Sequence, residues 1–344
     1  MDLDPTLLTI GSLLSFGLFL TLAYVAEQER LLRWLVYALA VVGDLGVAFV
    51  GAAFLLLAVL QGGQVELAPG CQLPEAAVAS MGRAYLGLGL VGLLALVPLV
   101  RRFLARVVPF DPARLVHAVA LQYAVQLLVV SVAIGIVISA ALLPGCEALL
   151  RRLTEETARG GLAMVWLQNL AFVVIGLLGV GFGVRRGWRA SLERLGLTRE
   201  FRFGWWAGMT ALGLAGGYVT SILWTQLAPQ SQADVERISQ ALFEPFIALG
   251  LVGALTIGLA AGIGEEILFR GAAQPRLGLV FTSLLFAALH TQYTVSPALL
   301  QVLFLGLLLG LTRQRVNTTT AVAVHAAYNF LLVALAYYAP QLSP

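Results

Sequence analysis

The sequence predicts an all-α protein, a polytopic transmembrane helical bundle of about ten spans. Of its 344 residues, 60% are hydrophobic and only 11% are charged, and the mean hydropathy of +0.91 is far above that of a soluble domain. A helix needs about 20 apolar residues to cross a hydrocarbon core about 30 Å thick. Charged or Pro/Gly-rich breaks divide the apolar runs into the predicted spans 6–26, 34–60, 84–100, 117–143, 162–184, 204–228, 245–264, 277–291, 297–312 and 319–339.

The distribution of arginine predicts the orientation in the membrane. All 21 basic residues are Arg, and 16 of them fall in alternate loops on one side of the predicted bundle. The positive-inside bias makes that side cytoplasmic and places both termini outside. Asp2 and Asp4 precede the first span where a signal peptide would carry basic residues, so this span is expected to be retained. The lack of Lys indicates a GC-rich genome and hence a prokaryotic plasma membrane, and nothing in the sequence indicates nucleic-acid binding.

The longest polar break predicts the division of the chain. Residues 185–203 form an Arg-rich stretch, interpreted as a cytoplasmic linker. It separates an N-terminal five-helix membrane region of unknown role, residues 1–184, from a C-terminal membrane bundle, residues 204–344. The C-terminal bundle holds two of the three His residues and an adjacent acidic pair at a helix end. Chemistry is therefore expected in the C-terminal bundle.

The two cysteines are candidates for a disulfide. Cys71 and Cys146 each end a Pro-Gly-Cys triplet, and both triplets fall in loops predicted to lie outside. An oxidising compartment permits a bridge there, and two free thiols are the alternative.

The acidic pair ends an apolar helix at membrane depth, where ionisable groups are costly and indicate function. Glu266 and Arg270 are spaced i and i+4, on one helical face, and are predicted to pair as a structural support. Glu265 is turned about 100° away and is free to act as a base. Gly271 and Pro275 are predicted to end this helix. The alternative is an interfacial charged patch that merely terminates the span.

Two further polar groups follow on later spans. Phe286 and His290 lie one turn apart near the end of the eighth span, and His325 and Asn329 project together from the tenth. Two polar side chains on one helical face need a polar partner in lipid. The alternatives are a packing role for His290 and hydrogen bonds between helices for the other pair.

One acidic residue lies in the N-terminal region. Asp44 is ten residues into the second span, about mid-bilayer. It either pairs with Gln122 or Gln126 or lines a polar pathway.

The three C-terminal motifs resemble those of the CPBP family of intramembrane endopeptidases, which includes CAAX proteases and bacteriocin-processing, Abi-like proteins. The family motifs Glu-Glu-x-x-x-Arg, Phe-x-x-x-His and His-x-x-x-Asn are present in order, as Glu265-Glu266 with Arg270, Phe286 with His290, and His325 with Asn329. The resemblance covers roughly residues 190–340. The ordered set, at the ends of apolar spans, is more specific than any one motif.

The resemblance implies roles for these residues. Glu265 and His290 activate a water molecule, and His325 and Asn329 bind the oxyanion, with no cofactor required. Arg270 holds Glu266 ionised, and Phe286 supports the site. A zinc enzyme is the alternative, because Glu265, His290 and His325 match a His₂Glu ligand set.

The implied substrate is a membrane-associated peptide or protein that approaches from the cytoplasmic side of the bilayer. Two other classes of protein remain open. A non-catalytic scaffold or immunity-type membrane protein would keep the same polar site, and so would a transporter with Glu, His and Asp along a polar path.

Overall fold

The computed structural model describes residues 5–60, 65–293 and 296–342. The described chain is a helical bundle with one small antiparallel hairpin, so the predicted fold class is confirmed. In chain order the elements are α1 (Pro5–Ala26), α2 (Arg30–Leu60), β1 (Val65–Ala68), β2 (Cys71–Leu73), α3 (Glu75–Leu96), α4 (Pro98–Leu104), α5 (Leu115–Ala140), α6 (Glu147–Gly179), α7 (Trp188–Leu195), α8 (Phe203–Leu227), α9 (Pro229–Ile247), α10 (Leu251–Glu266), a π-helix (Ile267–Ala273), α11 (Gln274–Leu277), α12 (Leu279–Ala288), a 3-10 turn (Thr291–Tyr293), α13 (Pro297–Arg315) and α14 (Thr318–Leu342).

Each of the ten predicted apolar spans overlaps a helix, but the span 84–100 crosses the break between α3 and α4, and the span 245–264 crosses the break between α9 and α10. In the described ranges, 7 helices are long and apolar enough to cross a membrane. The eighth predicted span coincides with α12, which has only 10 residues. At 1.5 Å per residue α12 is about 15 Å long, half of the hydrocarbon core. It therefore ends inside the bundle and delivers the residues that follow it to the middle of the membrane.

The helices α4, α7 and α9 lie wholly or mostly outside the predicted spans. Pro98 and Pro229 stand in the first turns of α4 and α9, where a missing N–H costs no intrahelical hydrogen bond. The helix α7 ends at Gly196, whose φ of 74° is the left-handed conformation that a glycine cap adopts readily. The segment predicted as a linker is therefore partly helical.

The hairpin and the start of α6 are covalently joined. A disulfide connects Cys71 in β2 with Cys146, the residue before α6, and their Cα atoms are 4.5 Å apart. Both cysteines are buried among apolar side chains of α2, α3 and α5. The bridge fixes the end of the N-terminal region opposite the Arg-rich side.

Asp44 is buried in α2 and is 1% exposed. It interacts with the amide side chains of Gln122 and Gln126 on α5. Across the α2–α3 interface the carboxylate occupies the space beside Gly92, where a Cβ atom would lie 2.4 Å from its Oδ1. The sequence left two roles open for Asp44, and the structure shows the pairing with glutamine.

The Arg-rich segment packs on both halves of the chain. Leu195 of α7 is fully buried against Ile267 of the π-helix. Its carbonyl oxygen accepts a hydrogen bond of 2.6 Å from the hydroxyl of Thr318, the first residue of α14. On the other side, Glu27 after α1 pairs with Arg114 and Arg185. These contacts anchor α14 and the π-helix at the Arg-rich side.

Glycines at four-residue spacing let α10 approach α14 closely. A Cβ atom on Gly258 would lie 2.7 Å from the carbonyl oxygen of Ala326, and one on Gly262 would lie 3.0 Å from the Ala326 side chain. Small residues at such an interface allow two transmembrane backbones to come into contact. The two glycines therefore hold α10, which carries the acidic pair, against α14, which carries His325.

Candidate active site

The acidic pair lies where α10 passes into the π-helix. Glu266 is the last residue of α10, and Arg270 belongs to the π-helix. The prediction that Gly271 and Pro275 end the helix is wrong, because the chain continues through the π-helix into α11. In an α-helix the ring of Pro275 would clash with the carbonyl group of Gly271, and the wider π turn changes that register. Helical turns of this kind are frequent at functional sites.

Glu266 is the centre of a buried charged cluster. Its Oε2 lies 3.2 Å from Nε of Arg270, and its Oε1 lies 2.8 Å from Nδ1 of His325. The side chains are 0%, 1% and 2% exposed, respectively. The structure therefore brings Glu266 and Arg270 together, as their spacing predicts. The contact between Glu266 and His325 was not predicted, since these residues are 59 positions apart in sequence.

Arg270 is held by groups of two other helices. Its Nη2 donates a hydrogen bond of 3.1 Å to the carbonyl oxygen of Gly306 on α13. The guanidinium lies over the ring of Phe286 on α12, 4.2 Å from the ring centroid. A desolvated cation over an aromatic face is attracted by the ring quadrupole. Phe286 therefore positions Arg270 and, through it, the carboxylate of Glu266.

His290 follows the short helix α12 and is partly buried. Its Nδ1 lies 2.8 Å from the carbonyl oxygen of Phe286. A carbonyl oxygen only accepts, so Nδ1 carries a proton and the Nε2 atom of the neutral ring has a free lone pair. The ring stacks on Tyr293 with centroids 6.2 Å apart and planes 2° from parallel. Sequence reasoning missed Tyr293, whose only signal was an aromatic residue three positions after the histidine.

Glu265 is directed into the protein and is partly buried. Its Oε2 atom is buried and has no hydrogen-bond partner in the described residues. The carboxylate interacts electrostatically with His290, Tyr293 and Arg270. Glu265 and His290 therefore share one polar region, and the Oε2 atom of Glu265 is free to accept a hydrogen bond.

Asn329 lies one helical turn after His325 on α14 and is partly buried. No hydrogen bond joins its side chain to the part of the chain that the structure describes. Counted from Thr318 at the start of α14, His325 lies about 10 Å and Asn329 about 16 Å along the helix. His290 lies about 16 Å from the start of α12. The site is therefore near the middle of the membrane, displaced towards the Arg-rich side.

A cavity of about 510 Å³ reaches His290. Its walls are predominantly apolar and come from the second half of α5, the start of α3 and the turn after α12. His290 and Thr291 lie at one end, and Leu73 and Pro74 beside the hairpin lie at the other. The cavity therefore runs from the site towards the disulfide end of the protein, away from the Arg-rich side.

The possible zinc ligands do not form a metal-binding group. Within residues 5–60, 65–293 and 296–342, no three His, Cys, Asp or Glu side chains converge as metal ligands do. The Nδ1 atom of His325 is engaged by Glu266, which leaves its Nε2 atom open to a ligand. A zinc site formed by Glu265, His290 and His325 therefore stays a prediction.

Comparison with known proteins supports the resemblance seen in the motifs. Residues 247–331 match a family model described as type II CAAX prenyl endopeptidase, Rce1-like. This segment contains all three motifs, from Glu265 to Asn329. The resemblance to CAAX proteases is therefore confirmed over that segment. Together with the apolar helices, it indicates an integral membrane protein with a protease-like domain.

One relative of the chain is a protein of Escherichia coli described as an uncharacterized 24.3 kDa protein. The two are 31% identical over 144 residues, which cover 39% of this chain and 64% of that protein. The chain thus spans a little less than two thirds of the length of this relative. No solved structure matches the chain.

Proposed function

We propose that this protein is an intramembrane endopeptidase in which Glu265 and His290 activate water. One observation carries the proposal. Beside His290, Glu265 has a buried carboxylate oxygen with neither a hydrogen-bond nor an ion-pair partner among the described residues, whereas both oxygens of Glu266 lie within ion-pair distance of Arg270 or His325. An unbonded carboxylate in a site of low dielectric is available as a general base.

The reaction requires one water molecule between Glu265 and His290. Glu265 removes a proton from this water while the water oxygen attacks the scissile carbonyl carbon. The Nε2 atom of His290 accepts the second hydrogen of the water in a hydrogen bond and orients it. The C–N bond then breaks, and the proton held by Glu265 passes to the leaving amine. The hydroxyl group remains on the new C-terminus, which ionises.

Asn329 and His325 supply the donors for the oxyanion. The amide of Asn329 donates without titrating. The imidazolium form of His325 donates from both ring nitrogens, from Nδ1 to Glu266 and from Nε2 to the oxyanion.

The substrate is a membrane-associated peptide or protein segment. The predominantly apolar cavity beside His290 supports this class of substrate, since apolar side chains of an extended segment could be buried there without the cost of desolvating polar groups. The sequence led us to expect approach from the Arg-rich side. The cavity extends in the other direction, so we place the bound segment between α5 and the turn after α12.

The function is tested by cleavage of a library of membrane peptides by the purified protein in lipid nanodiscs. Wild type should cleave a subset of peptides, and Glu265→Gln should cleave none, because the amide keeps the shape and loses the basicity. Glu156→Gln, at an exposed carboxylate of α6 outside the cavity lining, is the matched control and should equal wild type.

Three outcomes would replace the proposal. Loss of wild-type cleavage with a chelator, restored by zinc, would show a metal enzyme instead of a glutamate-activated water. Unchanged cleavage in folded Glu265→Gln would remove the proposed base. Absence of cleavage of every peptide by the folded wild type would favour the scaffold or transporter alternatives.

A further inference from the structure

A second cavity, of about 130 Å³, lies beside the π-helix. Its walls come from α1, α5 and α6 of the N-terminal region and from the π-helix, α11 and α12. On α1 the lining extends from Tyr24 to Leu13, and along α5 it extends from Arg114, the residue before the helix, to Leu127. These stretches are about 16 and 20 Å long. The cavity therefore runs from the Arg-rich surface to about the bilayer midplane, the depth of one lipid leaflet.

The end of the cavity at the Arg-rich surface carries concentrated positive charge. Its lining includes Arg114, Arg186, Arg194 and Arg276, one from each of four separate segments of the chain. Arg114 is paired with Glu27. The other three have no carboxylate partner among the residues that the structure describes. Three guanidinium groups thus share the mouth of one cavity without an ion-pair partner in the described part of the chain.

The contacts of these arginines leave donors available. Arg186 donates to the carbonyl oxygen of Val180, and Arg194 makes a long contact of 3.5 Å with that of Gly271. Burial, with Arg276 and Arg186 close by, lowers the pKa of Arg194 to about 10. Arg194 is therefore still charged at neutral pH, and the mutual repulsion of the group would be relieved by a bound anion.

Apart from Tyr24, His117 and Tyr123, the remainder of the cavity lining is apolar. Below the arginines its walls are formed by aliphatic and aromatic side chains such as Leu20, Phe172, Leu268 and Phe269. A free inorganic anion would use only the mouth of such a site. A molecule with an anionic head and a hydrocarbon chain would use both parts.

We propose that this cavity binds an anionic phospholipid of the Arg-rich leaflet, with its phosphate among Arg186, Arg194 and Arg276 and one acyl chain along α1 and α5. Guanidinium groups match phosphate oxygens in geometry as well as charge. The acyl chain lies against Leu268 and Phe269 of the π-helix. Phe269 in turn packs edge to face on Phe286, with ring centroids 5.5 Å apart. The lipid is thus a bridge between the N-terminal region and the turn that carries Arg270.

The test is binding to the purified full-length protein in a neutral detergent, followed by thermal stability and by native mass spectrometry. The probes are 14-carbon lysophosphatidylglycerol, lysophosphatidylcholine of the same chain length, and inorganic phosphate. The anionic lysolipid should stabilise wild type and remain bound at a stoichiometry of one. Arg194→Gln with Arg276→Gln should bind it about 30-fold more weakly, since each arginine contributes about 1 kcal/mol at such a surface. Arg199→Gln, at an exposed arginine outside the lining, is the matched control and should bind as wild type does.

A second variant tests the hydrocarbon part of the site. Ala120→Phe narrows the cavity below the arginines and should weaken binding of the lysolipid while leaving the unliganded melting temperature near that of wild type. Equal stabilisation by the two lysolipids, or equal binding by the double arginine variant and wild type, would overturn the proposal. Full stabilisation by inorganic phosphate alone would also overturn it and would show a free-anion site. These readouts do not depend on peptidase activity.

Discussion

Replacing Glu266 should destabilise the protein far more than replacing its neighbour Glu265. Glu266 is fully buried between Arg270 and His325, so Glu266→Gln leaves a buried cation without its counter-charge. Removing one partner of a buried ion pair costs about 3–5 kcal/mol of folding free energy. The Oε2 atom of Glu265 has no hydrogen-bond partner in the described residues. Glu265→Gln should therefore change the free energy of unfolding by less than about 1 kcal/mol.

The assay is equilibrium unfolding of the detergent-solubilised protein, followed by circular dichroism. Arg270→Met and the double variant Glu266→Gln/Arg270→Met complete a double-mutant cycle. The coupling free energy should exceed about 1 kcal/mol, because the double variant removes both charges together. Equal stabilities of Glu265→Gln and Glu266→Gln, or additive effects in the cycle, would refute the separation of roles between the two carboxylates.

Three further outcomes are expected. Gly262→Leu should separate α10 from α14 and lower both stability and cleavage. Gly208→Leu should have little effect, because a Cβ atom there meets no atom within 4 Å. Equal effects of the two substitutions would contradict the close packing of α10 on α14. Cys71→Ala with Cys146→Ala should cost about 2–5 kcal/mol of stability, and a reductant should destabilise wild type but not this variant. Reporters fused within α7 and α9 should lie on opposite sides of the membrane, and detection of the α7 reporter outside would reverse the topology.

The helices were readable from the sequence because hydropathy reports directly on the length of an apolar segment. Hydropathy does not show at which depth in the membrane a short helix ends, so α12 was predicted as a full span. The helix α9 was missed because polar residues dominate it. Its signals were Pro229 at the start and the buried residues Val235 and Ile238 at i and i+3. An apolar pattern within a polar segment is weaker evidence than a continuous apolar run.

The site was predictable where its contacts are local. The pairing of Glu266 with Arg270 follows from helical spacing alone. The contact between Glu266 and His325 depends on the close packing of α10 and α14, which spacing within one helix cannot reveal. The continuation of the helix beyond Gly271 was missed for a related reason. A π turn adapts the backbone to Pro275, and no residue pattern in the segment signals that adaptation.

The most direct test of the central claim is single-turnover cleavage of a membrane peptide in ¹⁸O-water. If Glu265 activates water, the new C-terminus should contain one ¹⁸O atom from the first turnover, and the mass of the enzyme should stay unchanged. Folded Glu265→Gln should give no product. A product that carries only ¹⁶O, together with an enzyme that has gained ¹⁸O, would show that a carboxylate of the protein attacks the peptide itself and would contradict the account.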